Sequence, residues 1–227
     1  DVLTISVGGT TIHTINGYTS GTVTLPSTAV NAAYAKMTTS NSAKFTFLLT
    51  TYSSSSKTTV IGTSTKTATG SISSTGRAPS FTTFTCADQN ATTIALTGDS
   101  SSIVQGYSLL RATVSAANKA TANKGASMSK YQLNIGGVIT EVAYGTGAVT
   151  LSNASPQSAT IGVTAIDSRG NTKTVYQTAT FIKYTDPVVK SGSASRALNG
   201  AGTETSLTYA GSFSAVDFGA ATNTILS

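Results

Sequence analysis

Apolar and polar residues alternate in short runs along most of this chain. Leu3, Ile5 and Val7 occupy every second position before Gly8–Gly9, and Lys44–Tyr52 continues the pattern with Phe and Leu among Thr. A period of two places the apolar side chains on one face of a β-strand. A Gly pair between two such runs is typical of a tight hairpin. The pattern therefore predicts an all-β fold built from hairpins.

The first segment, residues 1–75, is predicted to be an N-terminal β-sandwich domain. The expected strands are Leu3–Val7, Thr11–Ile15, Gly21–Leu25, Ala43–Tyr52 and Val60–Ile72. Pro26 should end the third of these strands. Ser27–Tyr34 then favours a short helix with Ser as its cap. Residues 73–79 are Ser-rich and end in Pro79, which indicates a linker that buries nothing.

The second segment, residues 76–184, is predicted to be an immunoglobulin-like β-sandwich domain. Turn signals separate its apolar runs at the spacing that such sandwiches show. The expected strands are Phe81–Cys86, Leu109–Ser115, Lys130–Ile135, Val138–Tyr144, Ala148–Leu151, Ala159–Ile166 and Lys173–Phe181. The turn at Asp167–Asn171 combines a backbone-bonding Asp with a Gly suited to positive φ. Cation and sugar sites use such loops, but we interpret this one as structural.

The third segment, residues 185–227, is predicted to be a partial third β domain. Pro187 interrupts the preceding strand, and Glu204–Tyr209 resumes a strand pattern. So few residues cannot form an independent sandwich. Either this segment packs on the second domain, or it opens a truncated third unit. The chain begins at Asp1 without Met or a signal peptide, so we expect it to be part of a longer protein.

Composition narrows the class of protein. About a third of the residues are Ser or Thr, while 39% are hydrophobic and only 10% are charged. This indicates a β-rich extracellular or virion protein whose surface carries hydroxyl groups rather than ion pairs. No run approaches the roughly 18 apolar residues of a membrane-spanning helix, so we expect no membrane insertion. The net charge is +6, but the lysines are scattered from Lys36 to Lys190, which argues against nucleic acid as a partner.

The residues that usually perform catalysis are almost missing. His13 is the only histidine and Cys86 the only cysteine, so no intramolecular disulfide and no zinc pattern can form. We interpret His13 as a surface strand residue and Cys86 as a small apolar strand residue. Four acids, Asp88, Asp99, Asp167 and Asp186, lie at predicted turns, where Asp has a structural role. Gly145–Gly147 and Gly200–Gly202 lack the other residues of a phosphate loop. We therefore predict no catalytic, cofactor-binding or metal-binding residues, no cofactor and no enzyme activity.

Tyrosine is the one residue type that suggests a ligand. Nine tyrosines occur without any Trp, and their flat rings with a polar tip could form a glycan-binding patch. They are Tyr18, Tyr34, Tyr52, Tyr107, Tyr131, Tyr144, Tyr176, Tyr184 and Tyr209. An exposed cluster that includes Tyr52, Tyr107 or Tyr144 would favour that function. Burial of all nine would favour strand packing.

An ordered series of short blocks resembles a known family. The blocks are Leu25–Ala32, Leu49–Tyr52 with Ile61–Ser64, Ile103–Ser108 with Arg111–Val114, Val163–Gly170, Phe181–Tyr184 with Pro187, and Arg196 with Glu204–Ser212. Together they are similar to the minor structural proteins of siphoviruses that infect streptococci and related Gram-positive hosts. This chain has Val30 near the position where that family has an aromatic residue. The family pattern continues past Asn223–Ile225, which supports the interpretation of the third segment as truncated.

The resemblance implies a non-enzymatic virion component of the phage tail or tail tip. Its role would be structural, with adhesion to the host as a further role, and it carries over no catalytic or ligand residues. Other tail proteins and host cell-wall polysaccharide are the expected partners. Such a protein assembles in the host cytoplasm and is later exposed outside the cell. Two alternatives stay open: a glycan-binding module that recognises wall polysaccharide, and an immunoglobulin-like stalk of a bacterial surface protein.

Overall fold

Residues 1–196 and 205–222 are described by a computed structural model. Strands make up 50% of the structure and helices 9%. The all-β prediction is therefore confirmed. The sequence features at Gly200–Gly202, at Glu204 and at Asn223–Ile225 lie outside the described residues.

The first segment contains one antiparallel sheet and one helix. The elements are β1 (Val2–Val7), β2 (Thr10–Asn16), α1 (Ser27–Lys36), β3 (Ser42–Tyr52) and β4 (Val60–Ser71). The strand order is β2-β1-β3-β4. β1 buries alternate apolar side chains, and α1 buries Ala29 and Ala33. A helix and a single sheet thus enclose this core where two facing sheets were predicted.

The first hairpin has the predicted geometry, but the next predicted strand does not form. Gly8 and Gly9 connect β1 to β2 with φ of +56° and +74°, as a two-residue type I′ turn requires. Gly21–Leu25 forms no strand ladder, although Val23 and Leu25 are half-buried. The alternation in this stretch reflects burial over the sheet, not pairing. Pro26 precedes α1 and Ser27 is its first residue, so Ser27 makes no capping bond.

The second segment is a sandwich of two sheets. Its elements are β5 (Thr85–Asp88), α2 (Ala91–Thr97), β6 (Ser102–Val104), β7 (Leu109–Val114), a 3₁₀ turn (Ala116–Asn118), β8 (Met128–Ile135), β9 (Val138–Ala143), β10 (Val149–Ala154), β11 (Thr160–Asp167), β12 (Thr172–Thr178) and β13 (Thr180–Ile182). One sheet has the order β10-β7-β5 and the other β12-β11-β8-β9. Their inner faces share one buried core around Tyr131, Leu133 and Val163. This three-plus-four arrangement supports the immunoglobulin-like assignment, which stays a prediction.

Two parts of this segment differ from the sequence prediction. The strand expected at Phe81–Cys86 begins only at Thr85, although Phe81 and Phe84 are both buried in the core. α2 and the short parallel pair of β6 with β13 were not predicted. These elements are too short to show a clear period, so tertiary packing rather than local pattern decides them.

The third segment forms a separate ribbon and a return to the second domain. β14 (Val188–Arg196) pairs with β15 (Thr205–Ser212) in a two-stranded antiparallel sheet. Beyond the ribbon, the backbone N–H groups of Ala220 and Ala221 both donate to the carbonyl of Leu96 in α2. Residues after β15 therefore pack on the second domain, which was one of the two expected arrangements.

The turn Asp167–Asn171 joins the second domain to the first. The Asp167 carboxylate accepts the backbone N–H groups of Arg169 and Asn171 at 2.9 and 2.8 Å, and Gly170 has φ of +78°. These contacts confirm the predicted turn geometry. The Asn171 and Asn41 amides then exchange hydrogen bonds of 2.9 and 3.1 Å across the two segments. The turn is therefore structural, and what it organises is an interdomain joint.

Arg169 is the centre of this joint. Its guanidinium is buried and donates to four backbone carbonyl oxygens. Two of them, on Tyr34 and Met37, lie at the C-terminal end of α1, where the helix dipole is negative. The Tyr34 carbonyl also accepts the backbone N–H of Met37. The other two belong to Asn123 and Lys124, in a loop of the second domain. Burial lowers the pKa of Arg169, and the negative charge of Asp167 opposes that shift.

The predicted linker is part of the same contact region. Pro79 is buried, and the Asn123 amide donates to the carbonyl of Ala78 at 2.6 Å. Lys124 donates to the carbonyl of Thr75 at 2.8 Å. The expectation that this stretch buries nothing was therefore wrong for Pro79, because the loop that contains Lys124 folds over it.

Replacing Arg169 with Lys tests the joint. Lys keeps the charge but cannot present a planar fork to four carbonyls in two domains, so part of the hydrogen bonding across the joint is lost. We expect a loss of about 2–4 kcal/mol in the free energy of unfolding, measured by urea denaturation. The matched control is Arg111→Lys on the exposed side of β7, which should change stability by less than about 0.5 kcal/mol. Equal stability of the two variants would contradict the assigned role of Arg169.

Candidate functional site

His13 and Cys86 lie in different sheets. His13 is a half-buried residue of β2, the edge strand of the first sheet, opposite Ile5 in β1. Cys86 lies in β5 and packs against the core of the second domain. Burial raises the pKa of the Cys86 thiol to about 12, although a backbone hydrogen bond at Ala87 acts in the opposite direction. The structure thus places neither residue where it could act with the other.

The buried carboxylate of Asp88 binds the polypeptide around it. Its Oδ1 accepts the backbone N–H groups of Asn90 and Leu109, each at 2.9 Å. Its Oδ2 accepts the hydroxyl groups of Thr93 and Ser108. These four donors fill the acceptor positions of the carboxylate. Asp88 therefore fastens α2 and the turn before β7 to the end of β5.

Asp99 and Asp186 have simpler surroundings. Asp99 accepts the hydroxyl and backbone N–H of Ser101, and these hydrogen bonds lower the pKa of the Asp99 carboxyl. The Asp186 carboxylate accepts the hydroxyl of Tyr107.

Within residues 1–196 and 205–222, no three His, Cys, Asp or Glu side chains come together as a metal site would require. In the same residues, no helix is long and apolar enough to cross a membrane.

The three tyrosines that the sequence singled out lie in separate places. Tyr52 ends β3, whereas Tyr107 lies in the turn before β7. Tyr144 stacks on the fully buried Tyr131, with ring centroids 5.8 Å apart, and the Lys119 ammonium lies 3.9 Å from its ring centre. Tyr144 is thus a packing residue at the core margin. Tyr107, which is 47% exposed, is the one that belongs to an aromatic cluster near the surface.

That cluster lines a cleft between α2 and the third segment. Tyr107 and Tyr184 meet edge to face with centroids 5.3 Å apart, and Phe218 lies 5.9 Å from Tyr184. The cleft has a volume of about 400 Å³ and we call it the aromatic cleft. Its lining consists of Asn90, Thr92, Thr93, Leu96, Val104, Tyr107, Tyr184, Phe218, Ala221 and Thr222.

Four parts of the chain position this lining. α2 begins at its cap Asn90, whose side chain accepts the N–H of Thr92 at 3.0 Å, and ends at Gly98 with φ of +70°. The parallel pair of β6 and β13 brings Val104 beside the strand that leads to Tyr184. The bonds from residues 220 and 221 to Leu96 hold the Phe218 turn against α2. The cleft therefore exists only when α2, β6, β13 and the third segment are all in place.

Polar atoms lie around the aromatic rings. The Asn90 amide donates to the carbonyl of Tyr107 at 2.8 Å, which fixes the turn that carries this ring. The hydrogen bond to Asp186 raises the pKa of Tyr107, and the negative charge of Asp186 adds to the shift. The Tyr107 hydroxyl is therefore occupied by Asp186, while its ring lines the cleft. An aromatic wall with a polar edge is suited to recognition rather than to bond breaking.

The sequence contained signals for part of this site. Tyr107 and Tyr184 were both among the candidate tyrosines, but nothing linked them to each other or to Phe218. Asn90 and Gly98 are a favourable helix cap and a favourable helix stop, and together they could have located α2. The approach of Phe218 depends on tertiary contacts and has no local signal.

Comparison with known proteins identifies one family. A family model described as a siphovirus protein of unknown function matches residues 9–204. No curated protein and no solved structure matches the chain. The matched range contains the first domain from residue 9 onward, the interdomain joint and the whole sandwich of the second domain.

The thiol of Cys86 provides a test of how this core is packed. A pKa of about 12 leaves about one thiolate in ten thousand at pH 8, where an ordinary thiol with a pKa of 9.0 leaves about one in ten. We expect iodoacetamide to modify Cys86 in the native protein at least about ten-fold more slowly than in urea, as measured by mass spectrometry. Comparable rates in the two conditions would show that the thiol is not packed against the core as the structure places it.

Proposed function

Since the chain belongs to this siphovirus protein family, we propose that it is a non-enzymatic structural component of the phage tail or tail tip that also adheres to the host surface. The family itself supports the coarser statement, a phage structural component. Tail position, adhesion and the streptococcal-type host are parts of the proposal.

The interdomain joint is the observation that carries the structural role. A tail component transmits force between neighbouring parts, so its domains have to resist bending at their connection. Here the connection buries Arg169 among backbone carbonyls of both domains and adds the reciprocal amide pair of Asn41 and Asn171. Lys124 and Asn123 also bind the linker itself. Such a joint suits a load-bearing module better than a flexible tether.

The adhesive role is supported by the aromatic cleft. It opens at the surface of the second domain, and its Tyr107 ring is half-exposed. Concave sites with an apolar lining and a few polar groups are the usual form of ligand sites in proteins. The reactive acids, in contrast, are engaged in structural hydrogen bonds, which agrees with binding rather than catalysis.

The tail position can be tested on intact phage. We expect mass spectrometry of purified virions to detect this chain, and gold-labelled antibodies against it to mark the tail or its tip in electron micrographs. Labelling of the capsid, or absence of the chain from purified particles, would contradict the proposal. Labelling of the bacterial wall in uninfected cells would instead favour the stalk of a surface protein.

Adhesion can be tested with the purified chain. We expect saturable binding of the fluorescently labelled chain to host cell walls, and loss of that binding when wall polysaccharide is stripped. Walls of a bacterium that the phage does not infect serve as the control and should bind weakly. Equal binding to intact and stripped walls would place the receptor outside the polysaccharide. No binding to either would remove the adhesive role and leave the structural one.

A further inference from the structure

We propose that the aromatic cleft is a saccharide-binding site that takes a neutral pyranose unit against the rings of Tyr107 and Tyr184. The inference rests on the proposed adhesive function and names the site and the chemical class of its ligand.

The arrangement of the rings is the first argument. A pyranose presents C–H groups on its faces and hydroxyl groups around its rim, so it binds where an aromatic wall meets polar atoms. Tyr107 and Tyr184 stand nearly perpendicular, at 81°, and form two walls of one corner. Phe218 and Val104, both buried, form the apolar floor. A volume of about 400 Å³ lies within the usual range for ligand sites.

Unused hydrogen-bonding groups at the rim are the second argument. The Tyr184 hydroxyl has no hydrogen-bond partner among residues 1–196 and 205–222, although its ring lines the cleft. Thr92 projects an exposed hydroxyl from the first turn of α2. Asp186 lies behind the lining, at the Tyr107 hydroxyl; it uses one carboxylate oxygen for that hydroxyl, and within the described chain its other oxygen accepts no hydrogen bond. These groups can bind the hydroxyls of a sugar without breaking an existing contact.

The charge of the lining selects the type of saccharide. The ten lining residues include no Lys, Arg or His, so the cleft offers no cation to a phosphate or carboxylate. The charges that the contacts place beside the lining are carboxylates: Asp186 bonded to Tyr107, and the buried Asp88 bonded to Asn90 and Thr93. An anionic sugar or a phosphate-rich polymer would therefore be disfavoured, despite the overall charge of +6. The lining points to neutral hexose, deoxyhexose or N-acetylhexosamine units.

Saturation-transfer-difference NMR on the whole chain tests this site. The probes are the methyl glycosides of glucose, galactose, rhamnose and N-acetylglucosamine, with methyl glucuronide as the charged comparison. We expect saturation transfer to the ring C–H protons of at least one neutral glycoside and little transfer to the glucuronide. Tyr184→Ala should weaken this binding at least about five-fold, because it removes one aromatic wall.

Two further variants separate loss of the site from loss of the fold. Thr92→Arg alters an exposed residue at the rim and should block the cleft while leaving the melting temperature unchanged. Tyr176→Ala is the matched control, since this tyrosine is 68% exposed on another sheet, and it should bind as the original chain does.

Several outcomes would overturn the inference. They are no transfer to any neutral glycoside, equal transfer in Thr92→Arg, equal weakening in Tyr176→Ala, or glucuronide binding as strong as that of the neutral sugars. The proposed tail function is judged separately, because detection of the chain in purified virions does not depend on sugar binding.

Discussion

The buried guanidinium of Arg169 is the interaction on which the arrangement of the two domains depends. A buried charge is costly unless its donors are satisfied, and here backbone carbonyls from α1 and from the loop at Asn123 satisfy them. The negative end of the α1 dipole favours the positive guanidinium, and the Met37 carbonyl at that end accepts its hydrogen bond from Arg169. Asp167 shapes the turn that presents Arg169 and also supplies the nearby negative charge. One short turn therefore sets how the second domain meets the first.

The rest of the structure relies on hydroxyl and amide groups where many proteins use ion pairs. Lys130–Glu141 is the only salt bridge within residues 1–196 and 205–222, and both of its side chains are partly exposed. Exposed pairs of this kind contribute little to stability. The buried acids bind hydroxyls and backbone N–H groups instead, as Asp88 does between β5, α2 and the turn before β7. The lining of the aromatic cleft contains none of these acids and presents aromatic rings and hydroxyl groups instead.

Single residues of the aromatic cleft could be predicted from the sequence, but their assembly into one site could not. Tyr107 and Tyr184 could be named from the sequence as possible glycan contacts, but Tyr52 and Tyr144 appeared equally good and lie elsewhere. Phe218 completes the cleft because residues 220 and 221 bind the carbonyl of Leu96 in α2, a helix that the hydrophobic pattern did not predict. A seven-residue helix is too short to reveal itself by hydrophobic period, although its Asn90 cap and Gly98 stop were both present. The site is thus assembled by long-range contacts between weak local signals.

The sequence by itself determined the all-β class, the tight hairpin at Gly8–Gly9, most strands of the sandwich and the geometry of the Asp167–Asn171 turn. These features follow from residue period and from the backbone preferences of Gly and Asp, which act within a few residues. Tertiary structure decided that Gly21–Leu25 covers the sheet without pairing, that Pro79 is buried, and that Arg169 faces α1 rather than solvent. It also decided that Tyr107, Tyr184 and Phe218 share a cleft. Each of these outcomes depends on which distant surface a residue meets, and local pattern carries no information about that.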